Sequence, residues 1–290
     1  MKEKLRFIDL FGGIGGFRLG IEKTTDWKCV WYNDINKYAV QVYNKNFGEN
    51  YEAKDIRSVH ESKIPGCDLI CAGFPCQSFS IAGKRKGMED VRGTLFYEIC
   101  RIAQFHKPHY LFLENVTGLL SSSQREDFRK ILKCLWELGY DVEWQVLNSK
   151  DFGVAQNRER IYIIGHYGGF CGRQVFPLRP VSREVEIKKI GYFSSFKIDS
   201  VLDPTGICCT ILKGESQSRM APIIAIENEG LEVLYRRLTP TECERLQGFP
   251  DGWTEGLSDL QRYNCLGNSV TVNVIEAIAK RMEEVLKCQF

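Results

Sequence analysis

The chain has 290 residues and 43% hydrophobic content, enough for one sizeable core with room for a second, smaller lobe. A formal net charge of +2 excludes a protein drawn to nucleic acid or to an anionic surface by overall charge, so any such contact has to be local. No apolar run approaches the length that spans a bilayer, and twelve cysteines scattered behind the start Met1-Lys2-Glu3-Lys4 read as reduced thiols of a cytoplasmic protein.

In chain order, short apolar runs at Leu5–Leu10, Cys29–Tyr32, Asp68–Ala72, Tyr110–Leu113 and Ile161–Ile164 predict buried strands. Thr94–Phe105 and Arg125–Leu138 predict helices of crossover length, the second with Phe128, Ile131, Leu132 and Leu135 on one face. This alternation implies an α/β fold around a largely parallel sheet. Beyond Gly168 the chain changes character. Gly169, Gly172, Pro177, Pro180, Pro204 and Gly206 punctuate short runs such as Ile207–Leu212 and Pro222–Ile226, which implies a small strand-rich lobe. Thr239 and Pro240 suit the cap and first position of a helix reaching Leu246. A last helix over Val270–Leu286, with the stripe Val274, Ile278, Met282 and Val285, is expected to pack back on the sheet. The expected organisation is a discontinuous large domain, residues 1–167 and 266–290, and a small lobe with a hinge helix, residues 168–265.

Three stretches carry the chemistry. Phe7-Ile8-Asp9-Leu10-Phe11-Gly12-Gly13-Ile14-Gly15-Gly16-Phe17 runs a buried strand into glycines that let backbone approach a ligand at the carboxyl edge of a sheet. It is not the dinucleotide fingerprint, because Arg18 stands where the third glycine is needed. Asp34, after the next apolar run, is placed to accept hydrogen bonds from a ribose, and Asp55 to meet an adenine amino group. Turn glycines and capping aspartates are the plainer explanation of any one of these residues alone. In Gly73-Phe74-Pro75-Cys76-Gln77, Pro75 restricts the backbone before Cys76 and holds its thiol at the sheet edge, where a nucleophile belongs; an inert buried cysteine is the alternative. Tyr110-Leu111-Phe112-Leu113-Glu114-Asn115-Val116 delivers a carboxyl group at the mouth of an apolar site, where a raised pKa lets it donate a proton. Cys67, Cys71 and Cys76 lack metal-site spacing, and none of His60, His106, His109 and His166 stands near them, so no metal is expected.

Together these stretches resemble the cytosine-C5 DNA methyltransferase family of bacterial type. Gln156-Asn157-Arg158-Glu159-Arg160, Arg237-Leu238-Thr239-Pro240-Thr241-Glu242-Cys243 and Gly267-Asn268-Ser269-Val270 extend the match, in unpermuted order, over nearly all the chain except about Phe170–Pro204. The resemblance implies a Rossmann-like S-adenosylmethionine-dependent methyltransferase sheet with a second, smaller strand-rich target-recognition lobe. It gives Cys76 the role of thiolate nucleophile at cytosine carbon 6 and Glu114 that of proton donor at N3, with Asn115 in support. Arg160, together with Arg158, is expected to hold the base at O2 and to keep the thiolate charged. The implied cofactor residues are Phe11, Gly12, Gly13, Gly15, Gly16, Asp34, Ile35, Asp55, Ile56, Pro75, Leu95, Asn268, Ser269 and Val270. Asp34 departs from the family's usual glutamate, keeping its charge with a shorter reach.

Carbon 6 is inaccessible in stacked DNA, so the target nucleotide has to rotate into the site. Ser78–Arg92, with Gly83, Gly87 and the basic run Lys84-Arg85-Lys86, is the expected closing loop, and Ser80, Lys84, Arg85, Lys86 and Arg92 are its candidate DNA contacts. The family's Thr-Leu pair reads Thr210-Ile211 here, followed by Lys213-Gly214-Glu215-Ser216-Gln217-Ser218-Arg219. Thr210, Lys213, Gln217 and Arg219 are therefore expected near the major groove, where Arg reads guanine and Gln reads adenine. The implied partner is double-stranded DNA at a short site, met by a monomer, with S-adenosylhomocysteine as product and a restriction endonuclease acting separately. The alternatives are a tRNA cytosine-C5 methyltransferase, disfavoured by Phe74 where that branch has proline, and a catalytically silent DNA-binding relative, disfavoured by intact Cys76, Glu114 and Arg160.

Overall fold

A computed structural model of the chain describes residues 4–75, 95–121, 125–170, 174–179, 186–192, 200–212, 222–226 and 234–287. The apolar runs form β1 (Arg6–Leu10), β2 (Lys28–Asn33), β3 (Leu69–Gly73), β4 (Tyr110–Val116), β5 (Tyr140–Asn148) and β6 (Glu159–Tyr167), in one sheet of order β2-β1-β3-β4-β6-β5. The first four strands are parallel, whereas β6 runs antiparallel to both β4 and β5. The sheet is therefore mixed, and the reversal of β6 brings its first residues to the edge where β1–β4 end.

The period-two alternation of each strand divides the core into two layers. Ile8, Ile70, Leu111, Leu113, Ile161 and Ile163 face α3 (Leu95–His106) and α4 (Arg125–Glu137). Phe7, Leu69, Cys71, Phe112, Tyr162 and Ile164 face α1 (Gly16–Glu22) and α7 (Val272–Lys287). The last helix packs back on the sheet, starting two residues later than its periodicity suggests.

Gly20 sets the approach of α1 to α7: a Cβ there would lie 2.7 Å from Ile275 Cβ and 2.9 Å from the Val272 carbonyl. Gly20→Ala should therefore destabilise the fold by about 1–3 kcal/mol, the usual cost of overpacking a dense core. Urea melts check this, and unchanged stability would mean that the two helices separate without cost.

A third cluster joins α2 (Lys37–Phe47), through Ala39 and Val42, to α5 (Pro240–Leu246) and α6 (Asp259–Asn268), through Cys243, Cys265 and Leu266. Thr239 caps α5 in a reciprocal box with Glu242, and Pro240 occupies its first position. Beside this cluster a small sheet has the order β10-β9-β8-β7, built from β7 (Lys189–Tyr192), β8 (Ser200–Leu202), β9 (Ile223–Ile226) and β10 (Leu234–Arg237). Pro222–Ile226 is thus a strand, but Ile207–Leu212 is not. It lies along residues 155–157, with Cys208 N donating to Ala155 O at 2.8 Å and Asn157 N to Cys208 O at 2.8 Å, because its apolar side chains Cys208 and Ile211 point into the third cluster rather than into the small sheet.

Candidate active site

In a parallel sheet, ligands collect at the carboxyl ends of the strands where neighbouring connections diverge. Here β1 sits between β2 and β3, and the turn leaving it has positive φ at Phe11 (54°) and Gly13 (55°). Those angles keep the chain tight against β2: Gly12 N donates to Asn33 O at 3.2 Å, and Tyr32 Oη donates to Gly13 O at 2.7 Å. Gly12 also clears the Asp9 carboxyl, which a Cβ would approach to 2.6 Å. Asp9 is fully buried and neither of its oxygens has a hydrogen-bond partner among the described residues. Burial pushes its pKa well up, so the group beneath the turn favours the neutral form.

A cavity of about 460 Å³ opens at this edge. Phe11, Gly13, Asp34, Ile35, Asp55, Ile56, Pro75, Leu95, Glu114, Asn115, Arg158, Arg160 and Asn268 all line it. Gly12, Gly15, Gly16, Ser269 and Val270 do not line it. Gly15 makes room for the Phe47 ring, and a Cβ on Gly16 would meet Val270 Cγ2 at 2.7 Å, so these two glycines serve close packing in this structure. Sequence reasoning did not single out Asn33, Asn36, Lys54, Arg57, Gly73, Phe74 or Cys265 as lining, although each stands close in sequence to a named residue or motif.

At one end of the cavity Asp34 Oδ2 accepts from Gly13 N at 2.9 Å and Oδ1 from Asn36 N at 2.7 Å. Burial raises the Asp34 pKa in spite of these donors. Each oxygen still has a lone pair to offer a hydroxyl. Asp55 differs from expectation: both of its oxygens take the Arg57 guanidinium, Oδ1 also caps the turn Ile56–Ser58, and the ion pair holds its pKa down. Arg101 on α3 fixes the same wall, donating to Ile56 O at 3.3 Å and to Val59 O at 2.9 Å and pairing with Glu61 and Glu98.

At the other end the β4–β6 register sets Val116 opposite Arg160 and Glu114 opposite Tyr162. Glu114 is 8% exposed, and its Oε1 meets Arg160 Nε at 3.1 Å. Burial is the larger influence and raises the Glu114 pKa, while Arg160 and then Arg158 pull it down. Asn115 Nδ2 donates to Phe74 O at 3.0 Å, tying β4 to the segment that leads through Pro75 to Cys76. Arg158 is placed differently from a base ligand. It is 2% exposed, and its guanidinium donates to the carbonyls of Ile211 (3.1 Å), Gly267 (3.1 Å) and Ser269 (2.8 Å). Thr210 spends its hydroxyl on Asn157 O at 2.7 Å. Cys76, Ser80, Lys84, Arg85, Lys86, Arg92, Lys213, Gln217 and Arg219 lie outside the described residues. Among the described residues no helix is long and apolar enough to cross a membrane.

The sequence profile of the family described as C-5 cytosine-specific DNA methylase matches residues 5–174 and 181–284. The chain belongs to this family. Among its relatives, the type II methyltransferase M.NlaX of Neisseria lactamica is 38% identical over 97% of this chain and 97% of its own. M1.ScrFI of Lactococcus lactis subsp. cremoris is 37% identical over 98% of this chain and 79% of its own, and M.HhaI of Haemophilus parahaemolyticus 36% over 95% and 93%. The S. pombe Dnmt2 methyltransferase structure shares the fold, with a TM-score of 0.75 and 23% identity over 98% of this chain and 99% of its own. The large sheet and its smaller companion thus form a mixed α/β arrangement that the chain shares with this neighbour.

Proposed function

We propose that the protein methylates carbon 5 of a cytosine turned out of a short duplex DNA site, as the modification enzyme of a restriction-modification system, with S-adenosylmethionine as methyl donor. The observation that carries this is the placement of a buried carboxyl group, Glu114, with its guanidinium partner Arg160 in the same cavity as the Asp34 end of the β1 turn. The donor fits that cavity in kind. About 460 Å³ is within the range of small-molecule sites, Asp34 offers acceptors for ribose hydroxyls, and Phe11, Ile35, Ile56 and Leu95 offer apolar surface to a purine. The large domain, residues 1–167 and 266–290, holds this chemistry, and residues 168–265 form the lobe that reads the DNA.

Bound in the cavity, S-adenosylmethionine supplies the methyl group as an electrophilic sulfonium and leaves as S-adenosylhomocysteine. The chain's own task is to make cytosine carbon 5 nucleophilic. The Cys76 thiolate adds to carbon 6, and Glu114 delivers a proton to N3 as the ring gains electron density. Arg160 holds Glu114 in place and meets the base at O2. Asn115 keeps the Phe74 carbonyl, and with it the path to Cys76, against β4. Once carbon 5 carries the methyl group, loss of its proton to solvent expels the Cys76 thiolate from carbon 6, and return of the N3 proton to the Glu114 carboxylate leaves neutral 5-methylcytosine and restores the enzyme.

The test is incubation of the purified protein with radiolabelled S-adenosylmethionine and, in parallel, mixed-sequence duplex DNA or tRNA, followed by base analysis. Label in DNA 5-methylcytosine is the expected result, and label in tRNA alone would move the protein to the RNA branch. Label in neither would overturn the proposal. For the Asp34 end, Asp34→Ala should weaken S-adenosylhomocysteine binding by about 10-fold or more in calorimetry, the scale of a charge-assisted hydrogen bond. Unchanged affinity would remove Asp34 from the cofactor site.

A further inference from the structure

Arg158 carries a buried positive charge whose described partners are all carbonyl oxygens. Three donors reach carbonyls from two separate parts of the chain: Nη1 takes Ile211 O, while Nη2 takes Gly267 O and Ser269 O. Nε is buried without a partner. Ile211 belongs to the segment that the small lobe lays along residues 155–157, whereas Gly267 and Ser269 bracket Asn268, which lines the cavity. The other side of Ile211 is also held, its N donating to Gln156 Oε1 at 3.1 Å, and Gln156 Nε2 reaches Leu246 O at 2.9 Å. Gln156 is fully buried and makes no direct bond to residues 267–269, reaching that turn only through Gln247, which accepts from Gln156 Nε2 at 3.3 Å and donates to Leu266 O at 2.7 Å and Ser269 O at 3.4 Å.

We infer that Arg158 is a positioning residue, a clamp whose planar fork fixes the start of the recognition segment at Ile211 to the cofactor-cavity turn at residues 267–269. A guanidinium suits this role because its two terminal nitrogens diverge toward different acceptors at fixed geometry, which a single ammonium cannot reproduce. The inference rests on the proposed assignment of the cavity and the lobe. It reassigns Arg158 from base recognition to holding two binding surfaces in register, and it makes Gln156, whose direct bonds go to Ile211, Leu246 and Gln247, the half of the clamp that touches the lobe directly and the cavity turn only at second hand.

The two halves predict different losses. In the full-length protein, Arg158→Lys should weaken S-adenosylhomocysteine binding by calorimetry about tenfold and raise the half-saturating concentration of a duplex carrying a bisulfite-mapped methylation site by a similar factor. Its single-turnover rate with both substrates saturating should stay within about fivefold of the wild type. Gln156→Leu should raise the DNA requirement alike and leave S-adenosylhomocysteine affinity within twofold. An Arg158→Lys protein with normal binding of both partners but a single-turnover rate reduced by 100-fold or more would overturn the clamp and return Arg158 to the base, and normal binding with a normal rate would also overturn it. If Arg158→Lys shows no cooperative melt, Gln156→Leu decides: a DNA-only loss supports the clamp and wild-type DNA binding overturns it. Absence of methyl transfer by the wild-type protein sinks the proposed function instead, and the S-adenosylhomocysteine measurements then judge the cavity side of the clamp on their own.

Discussion

Replacing Glu114 by glutamine should lower the methylation rate by about 10²–10⁴-fold, the range assigned to loss of a positioned proton donor. The amide keeps the size of the carboxyl group and can still face Arg160, but it has no acidic proton for N3. The same carboxyl predicts the pH profile. Burial raises its pKa above the ordinary carboxylate value, so the protonated form survives to higher pH than in a free glutamate. Activity that needs that form is present below the raised pKa and is lost as pH rises through it. The Glu114→Gln enzyme should lack this alkaline limb in its residual activity. Turnover within a few-fold of the wild type, or the same alkaline limb in the variant, would remove Glu114 from the acid role.

Cys76→Ala should cost at least about 10⁴-fold, as loss of a covalent nucleophile does in enzymes whose groups act as a unit. Without thiolate addition, carbon 5 has no enamine character and the donor has nothing to react with. Binding of S-adenosylhomocysteine should persist within about twofold, because the residues proposed for its adenosine portion, Phe11, Asp34 and Ile56, lie on other strands and turns. A duplex with 5-fluorocytosine at the target offers a direct reading: fluorine cannot leave as a proton does, so the wild-type protein should remain covalently attached to the DNA on a denaturing gel. The alanine variant should run free. An attached variant would place the nucleophile elsewhere.

The parts of the fold that announce themselves are those whose apolar residues are contiguous. β1, β3 and β4 are buried on both faces and read as unbroken runs, because helices cover each side. β5 escapes a reading keyed to contiguous runs for the opposite reason. In its sequence, Tyr-Asp-Val-Glu-Trp-Gln-Val-Leu-Asn, apolar and polar residues alternate as in a half-buried edge strand, so no unbroken apolar run marks it. Ile207–Leu212 misled because a run of apolar residues signals burial rather than strand, and the third cluster buries it without a ladder.

The site shows the same division. Asp34, Glu114 and Arg160 are legible because each stands at or just beyond the end of a strand that delivers it to one edge. The surroundings of Arg158 are not, since its three carbonyl partners stand 53, 109 and 111 residues away and backbone acceptors carry no sequence signal. The pairing of Asp55 with Arg57 is open to local reading, the two standing two residues apart.

The placement of α7 beneath the sheet has a consequence for how the protein comes into being. Val272 follows Glu22 by 250 residues, yet it is α7 that covers Phe17 and Ile21 and the face of the sheet bearing Phe7, Leu69 and Phe112. During synthesis, these face residues have all been made once Phe112 is added, and they wait uncovered until α7 leaves the ribosome. Contacts spanning such a distance are slow to form, and exposed apolar surface in the interval invites self-association. Chains cut short before α7 are therefore destined for aggregates or for proteolysis rather than for a weakened enzyme, and methylating capacity begins with the arrival of α7 rather than growing with chain length.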